Sequence, residues 1–243
     1  MRTITIILSL AVLSITSVHA QLWGNKKIKG NGSVISKKRN VSSYDQIKVK
    51  GSLDVALISG TEGSLHIKGE SNLIPHVKTE IKNNALHIYV EKGYSINTSK
   101  GKNIVVTVPF IDLNEVTLSG SGDIYSDAII KTSNFITNIS GSGDIRLSIE
   151  ASNIESSVSG SGDLVMKGST QKLACKVTGS GDLKAYDLAA KDVVAEVTGS
   201  GDIKVTSTES LKARVTGSGD VDYKGNPEKI DKKVHGSGDI SAY

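Results

Sequence analysis

The chain has 243 residues with a formal charge of +4, 37% hydrophobic but only 4% aromatic residues, and one cysteine, Cys175. A single cysteine excludes an intramolecular disulfide, so stability must come from packing and backbone hydrogen bonds. Lys, Arg, Asp and Glu are interspersed along the sequence rather than blocked, which argues against a nucleic-acid partner and gives no sign of an anionic-membrane partner.

In chain order, the first element is an export signal. Arg2 precedes an apolar run from Ile4 to Ile15, and Val18-His19-Ala20 puts small residues three and one before a cut after Ala20. This pattern predicts a signal peptide over residues 1–20, a mature chain starting at Gln21, and a periplasmic, cell-surface or extracellular location. No cysteine lies near the cut to carry a lipid. No later segment approaches the roughly 18 consecutive apolar residues of a membrane helix, so no transmembrane segment is expected in the mature chain. Residues 21–25, which contain Trp23, are expected to be a short flexible start to the mature chain.

Residues 26–112 are expected to form a less regular N-terminal β region, with no long helix. Ile47-Lys-Val-Lys-Gly-Ser-Leu-Asp-Val-Ala-Leu57 alternates apolar and polar residues and carries a degenerate copy of a motif that recurs later. Glu80 to Val90 contains two alternating runs around Asn83-Asn84, which predicts a hairpin because Asn tolerates the left-handed backbone region.

Residues 113–243 are a repeat array. Gly-Ser-Gly-Asp begins at Gly120, Gly141, Gly160, Gly179, Gly199, Gly217 and Gly236, with spacings of 21, 19, 19, 20, 18 and 19 residues. Leucine-rich repeats share this period but need closely spaced leucines, and propeller repeats run to about 40 residues, so seven stacked coils of a β-solenoid fit better. Side-chain parity supports this. Leu173, Cys175, Val177, Gly179, Gly181 and Leu183 share one parity, with mostly polar residues between them. Period-two alternation means strand, with that set facing inward. The paired glycines then sit at an inward corner, required there either by crowding or by a positive φ.

These residues carry a family resemblance. Arg39-Asn-Val41, Ile47-Lys-Val-Lys-Gly51, Asn72-Leu73, Leu86-His-Ile88, Val106-Thr-Val-Pro109 and the following Gly-Ser-Gly-Asp series, in that order, resemble the auto-transporter adhesin head domain family, also called the head GIN domain family. The resemblance implies an all-β, right-handed parallel β-helix and a surface or adhesive role. The given chain ends at Tyr243, directly after the seventh motif, so no membrane-barrel translocator is expected.

Several residues are candidates for chemistry. Asp123, Asp144, Asp163, Asp182, Asp202, Asp220 and Asp239 form one column, which would suit Ca²⁺ between coils or turn N–H groups. Calcium-binding β-rolls use a nine-residue repeat, half the length of this one, so hydrogen bonding is expected and no metal ligand is assigned. A second column joins Ser119, Ser140, Ser159, Thr178, Thr198, Thr216 and His235 with the motif serines; it suits ordered water, a glycan or a plain solvated face. His66, His76, His87 and His235 lack metal or nucleophile spacing, and Cys175 has core parity. No catalytic, cofactor or metal residue is therefore predicted. The expected function is an exported non-catalytic scaffold for an unknown glycan or protein ligand. The alternative is a polysaccharide lyase or hydrolase on a β-helix fold.

Overall fold

The computed structural model describes residues 25–243. The expected signal peptide, its cut before Gln21, and Trp23 lie outside the described residues. The elements in chain order are β1 (Lys26–Lys29), β2 (Val34–Asn40), β3 (Gln46–Gly51), β4 (Asp54–Ser59), β5 (Ser64–Glu70), a 3-10 turn (Ile74–His76), β6 (Val77–Lys82), β7 (Ala85–Val90), β8 (Tyr94–Asn97), β9 (Val105–Phe110) and β10 (Glu115–Gly120). They continue as β11 (Ile124–Gly141), β12 (Ile145–Gly160), β13 (Leu164–Gly179), β14 (Leu183–Gly199), β15 (Ile203–Gly217), β16 (Val221–Lys224), β17 (Lys229–Gly236) and β18 (Ile240–Ala242).

From β10 onward the strands form a parallel β-solenoid. The motif glycines are in register from coil to coil, Gly120↔Gly141, Gly141↔Gly160, Gly160↔Gly179, Gly179↔Gly199 and Gly199↔Gly217. The alternation produces this arrangement directly. Leu173, Cys175 and Val177 are buried while Ala174, Lys176 and Thr178 are exposed, as period-two side-chain placement requires.

The corner separates the two reasons for glycine. The first Gly of each motif has φ between +116° and +142°. A Cβ there would also lie 2.1–2.5 Å from the carbonyl oxygen of the Gly one coil below. The second Gly has an ordinary φ, and only crowding excludes a side chain: a Cβ would lie 2.0–2.2 Å from the backbone oxygen below. The chain is drawn this close because each first-Gly oxygen from Gly120 to Gly217 accepts two N–H groups of the next coil, as when Gly160 O takes Ser180 N at 2.8 Å and Gly181 N at 2.9 Å.

The N-terminal region is more regular than its sequence suggests, because it supplies two coils to the same stack. The first runs through β3 and β4 and meets the repeats at Gly51↔Gly120. The second lies beneath it, with β7 parallel to β3 (Ile47↔Leu86) and β9 parallel to β4 (Val55↔Val106), although it comes later in sequence. The chain thus steps down one coil before β10 returns over β3. No motif corner lies under the β3–β4 coil, so nothing stands within 4 Å of a Cβ at Gly51, and Leu53 occupies the second-Gly position fully buried.

Antiparallel strands close this end: β6 on β7, β5 on β9, and β2 on β5. The β6–β7 turn is at Asn83 and Asn84, with φ of 51° and 60°, the hairpin that the Asn pair predicts. One apolar core runs from Tyr44 to Ile240.

Candidate functional site

The Asp column is a hydrogen-bond ladder. Asp182 N–H donates to Asp163 Oδ1 at 3.2 Å, Asp202 N–H to Asp182 Oδ1 at 3.1 Å, and Asp220 N–H to Asp202 Oδ1 at 2.9 Å. The ladder runs unbroken to Asp239 at 2.7 Å, and downward through Asp144 and Asp123 to Asp54. Asp54 is a rung of the ladder in the degenerate motif. Several outer oxygens meet cations: Asp144 Oδ2 lies 2.9 Å from Arg146, and Lys184 Nζ bridges Asp163 at 2.6 Å and Asp182 at 3.3 Å. The hydrogen bond to Asp163 is the main reason the Lys184 ammonium titrates above its ordinary range. One oxygen of each bonded Asp is committed to the backbone, and no convergent group of three His, Cys, Asp or Glu occurs among the described residues.

The hydroxyl column is exposed and in register, Ser140↔Ser159↔Thr178↔Thr198↔Thr216, with His235 continuing it. The positive-φ glycine after each member turns the chain, so this column and the motif serines flank a corner rather than share one flat face. The histidines remain apart. His66 is exposed on β5, and His87 is half-buried on β7, its pKa lowered first by burial and then by Lys48 and Lys82. His76 reaches Glu91 at 3.2 Å and packs on Tyr94. The Cys175 thiol is pushed up to about 12 by burial and by Glu196, which makes it a core side chain rather than a nucleophile.

Unequal coil lengths produce a groove on the outer surface of the repeats. In β11 the pairing with β12 slips between Tyr125 and Ile129, so Ser126, Asp127 and Ala128 bulge beside Leu147. In β14 the pairing with β13 slips so that Ala185, Tyr186 and Asp187 stand against Met166 and Lys167. These bulges hold the extra residues of the 21- and 20-residue spacings, and two 19-residue coils lie between them. The result is a groove of about 500 Å³ lined by Asp127, Ile129, Ser148, Ile149, Glu150, Lys167, Gly168 and Asp187. At about 4.8 Å per coil its carboxylate walls stand roughly 14 Å apart.

Ser148 lies on this groove's floor. Its parity is outward, between exposed Arg146 and half-buried Glu150, yet it is only 4% exposed because the neighbouring coils overhang it. Its Oγ has no hydrogen-bond partner among the described residues. Thr137 Oγ1 and Tyr186 OH are likewise buried without a partner, whereas Ser126, Thr170 and Ser207 bond to Ala128 O, Lys172 O and Ser210 O; of the unpartnered hydroxyls, Ser148 is the one that lines this groove. Motif-based reading of the sequence misses this groove, although the irregular spacings 21, 19, 19, 20 carry its signature.

A parallel solenoid with a corner hydrogen-bond ladder and an outer groove defines the class, an all-β repeat protein of stacked coils. The chain belongs to the family described as "Putative auto-transporter adhesin, head GIN domain", which matches residues 43–227. Among solved structures it is similar to a putative adhesin from Bacteroides fragilis, at 26% identity and a TM-score of 0.81, covering 89% of this chain and 100% of that one. A putative lipid binding protein from Parabacteroides distasonis is 28% identical with a TM-score of 0.72, covering 90% and 100%. A putative adhesin from the same organism is 25% identical with a TM-score of 0.71, covering 90% and 100%. No curated protein matches the sequence.

Proposed function

We propose that this chain is exported and acts as a non-catalytic binding scaffold at the cell envelope or surface, with the groove between Asp127 and Asp187 as its ligand site. The observation that carries the reading is Ser148, whose hydroxyl is buried at the groove floor without a protein partner. An unsatisfied buried hydroxyl costs on the order of 1–3 kcal/mol, which a ligand bond recovers. The lining mixes carboxylate acceptors with the Lys167 donor beside the exposed apolar side chain of Ile129, a combination that suits the hydroxyls and C–H face of a glycan. The adhesin and lipid-binding names of similar structures are names for binding proteins, in keeping with this role.

A glycan array followed by solution titration tests the reading. Wild-type protein should retain a glycan that Asp127→Ala/Asp187→Ala binds at least about tenfold more weakly, the loss of one or two hydrogen bonds to charged groups. Binding unchanged in that variant removes the groove from the proposal, and cleavage of the captured glycan by wild-type protein favours the enzyme alternative.

A further inference from the structure

The charges that look interspersed along the sequence separate along the molecule. Residues 26–112 carry 14 Lys and Arg against 7 Asp and Glu, whereas residues 113–243 carry 14 against 18. The first group builds the closed end of the solenoid and its two lowest coils, and the second builds the body. One end therefore has a net charge of +7 and the body −4. At physiological salt, charges more than about 8 Å away are largely screened, so a surface touching this end responds to the basic residues nearest it rather than to the small total of the chain.

The end also has a concave feature of matching sign. A groove of about 520 Å³ is lined by Val34, Lys68, Gly101, Lys102, Asn103 and Val105, with no acidic side chain in its wall. Lys68 stands opposite Ser36, and His66 opposite Lys38, in the antiparallel β2–β5 pair, so these side chains share one face. Lys37, Lys38 and Lys68 are exposed and belong to no ion pair among the described residues. The nearby carboxylates are committed. Glu70 accepts Ser99 Oγ at 2.6 Å, Ser99 N–H at 2.8 Å and Gly32 N–H at 2.5 Å, while Asp54 accepts Asn103 Nδ2 and Asp123 N–H.

We propose that this basic end docks on an anionic lipid surface, with phosphate headgroups at Lys37, Lys38 and Lys68, so that the rod stands on that surface with its acidic body directed away. A lipid surface fits better than a single linear polyanion. The cationic side chains spread over both faces of edge strand β2, the face of β5 and the 100–102 turn, which makes a broad contact rather than one trench. This inference does not depend on what the body groove binds.

Co-sedimentation of the chain from residue 21 to 243 with vesicles provides the test. Protein should partition onto phosphatidylcholine vesicles containing 30% phosphatidylglycerol at 50 mM NaCl, stay free with pure phosphatidylcholine, and be released at 500 mM NaCl. Lys37→Glu/Lys38→Glu/Lys68→Glu, all at exposed positions, should lower the partition coefficient by about 100-fold or more, as expected for losing three lysines near an anionic surface. The body variant Lys172→Glu/Lys176→Glu should stay within about twofold of wild type, and circular dichroism melts should be matched for both. No binding to anionic vesicles at 50 mM NaCl, equal binding to neutral ones, or equal loss in both variants overturns the proposal. Asp127→Ala/Asp187→Ala should bind vesicles like wild type, so failure of the groove reading and of this one are separable.

Discussion

At Gly181 a Cβ would lie 2.2 Å from Gly162 O, a rigid backbone atom, whereas the neighbouring Ser180 side chain faces solvent. Gly181→Val should therefore destabilise by more than about 3 kcal/mol, and Ser180→Val by less than about 0.5 kcal/mol. Denaturant melts of the two variants measure the difference, and equal shifts would refute the inward assignment of the glycine. Leu53 is the natural control at the equivalent position. It is fully buried where no coil corner lies beneath, so the reverse change, Leu53→Gly, should itself cost about 3 kcal/mol or more by opening a cavity. The same residue position thus demands glycine in seven copies and rejects it in the eighth.

At the scale of elements, the N-terminal strands β1 and β2 each pair with one neighbour only. Glu70 holds the β1–β2 connection to the 99–102 turn, and it holds its proton more weakly than the ordinary value near 4.5. The hydroxyl of Ser99 is the largest cause, followed by the N–H groups of Ser99 and Gly32 and the charge of Lys102. A depressed carboxyl pKa contributes stability that is fully present above the unfolded value and is lost as pH falls through the folded one. Amide exchange in residues 26–40 should accordingly accelerate as pH drops below about 4.5, after correction for intrinsic rates, and Glu70→Gln should show fast exchange at neutral pH. Exchange in β12–β15 should change less, because those strands pair on both sides. A uniform response along the chain would refute the local role.

At the scale of the whole molecule, the Asp ladder is an axial seam from Asp54 to Asp239. Carboxylates one coil apart repel by about 0.9 kcal/mol per pair in water, and the ladder offsets this with backbone N–H donors and cations such as Lys184. Chelator should leave the melting temperature nearly unchanged. Asp182→Asn, which keeps an acceptor for Asp202 N–H, should cost about 1 kcal/mol or less, whereas Asp182→Ala should cost about 1–3 kcal/mol. A melting temperature that climbs many degrees with millimolar Ca²⁺, and loses that response in Asp182→Asn, would make the seam a calcium site instead.

The sequence by itself determines the strand parity, the Gly-Ser-Gly-Asp corner, the Asn83-Asn84 hairpin and the family. These are local properties: period-two alternation, φ preference and motif spacing are written in adjacent residues. Tertiary structure alone decides the stacking order at the closed end, where residues 85–110 lie beneath residues 46–59, because nothing local tells a strand which earlier edge it joins. It decides that Asp54 joins the ladder and that Leu53 is permitted. It also converts the spacings 21, 19, 19, 20 into walls and a floor, since an extra residue becomes a groove only when coils with and without it are stacked side by side. The charge asymmetry between residues 26–112 and 113–243 can be counted in the sequence, but only the stacking gathers the first segment at one closed end and the second into the body, because strand pairing and not chain order sets the height of a coil.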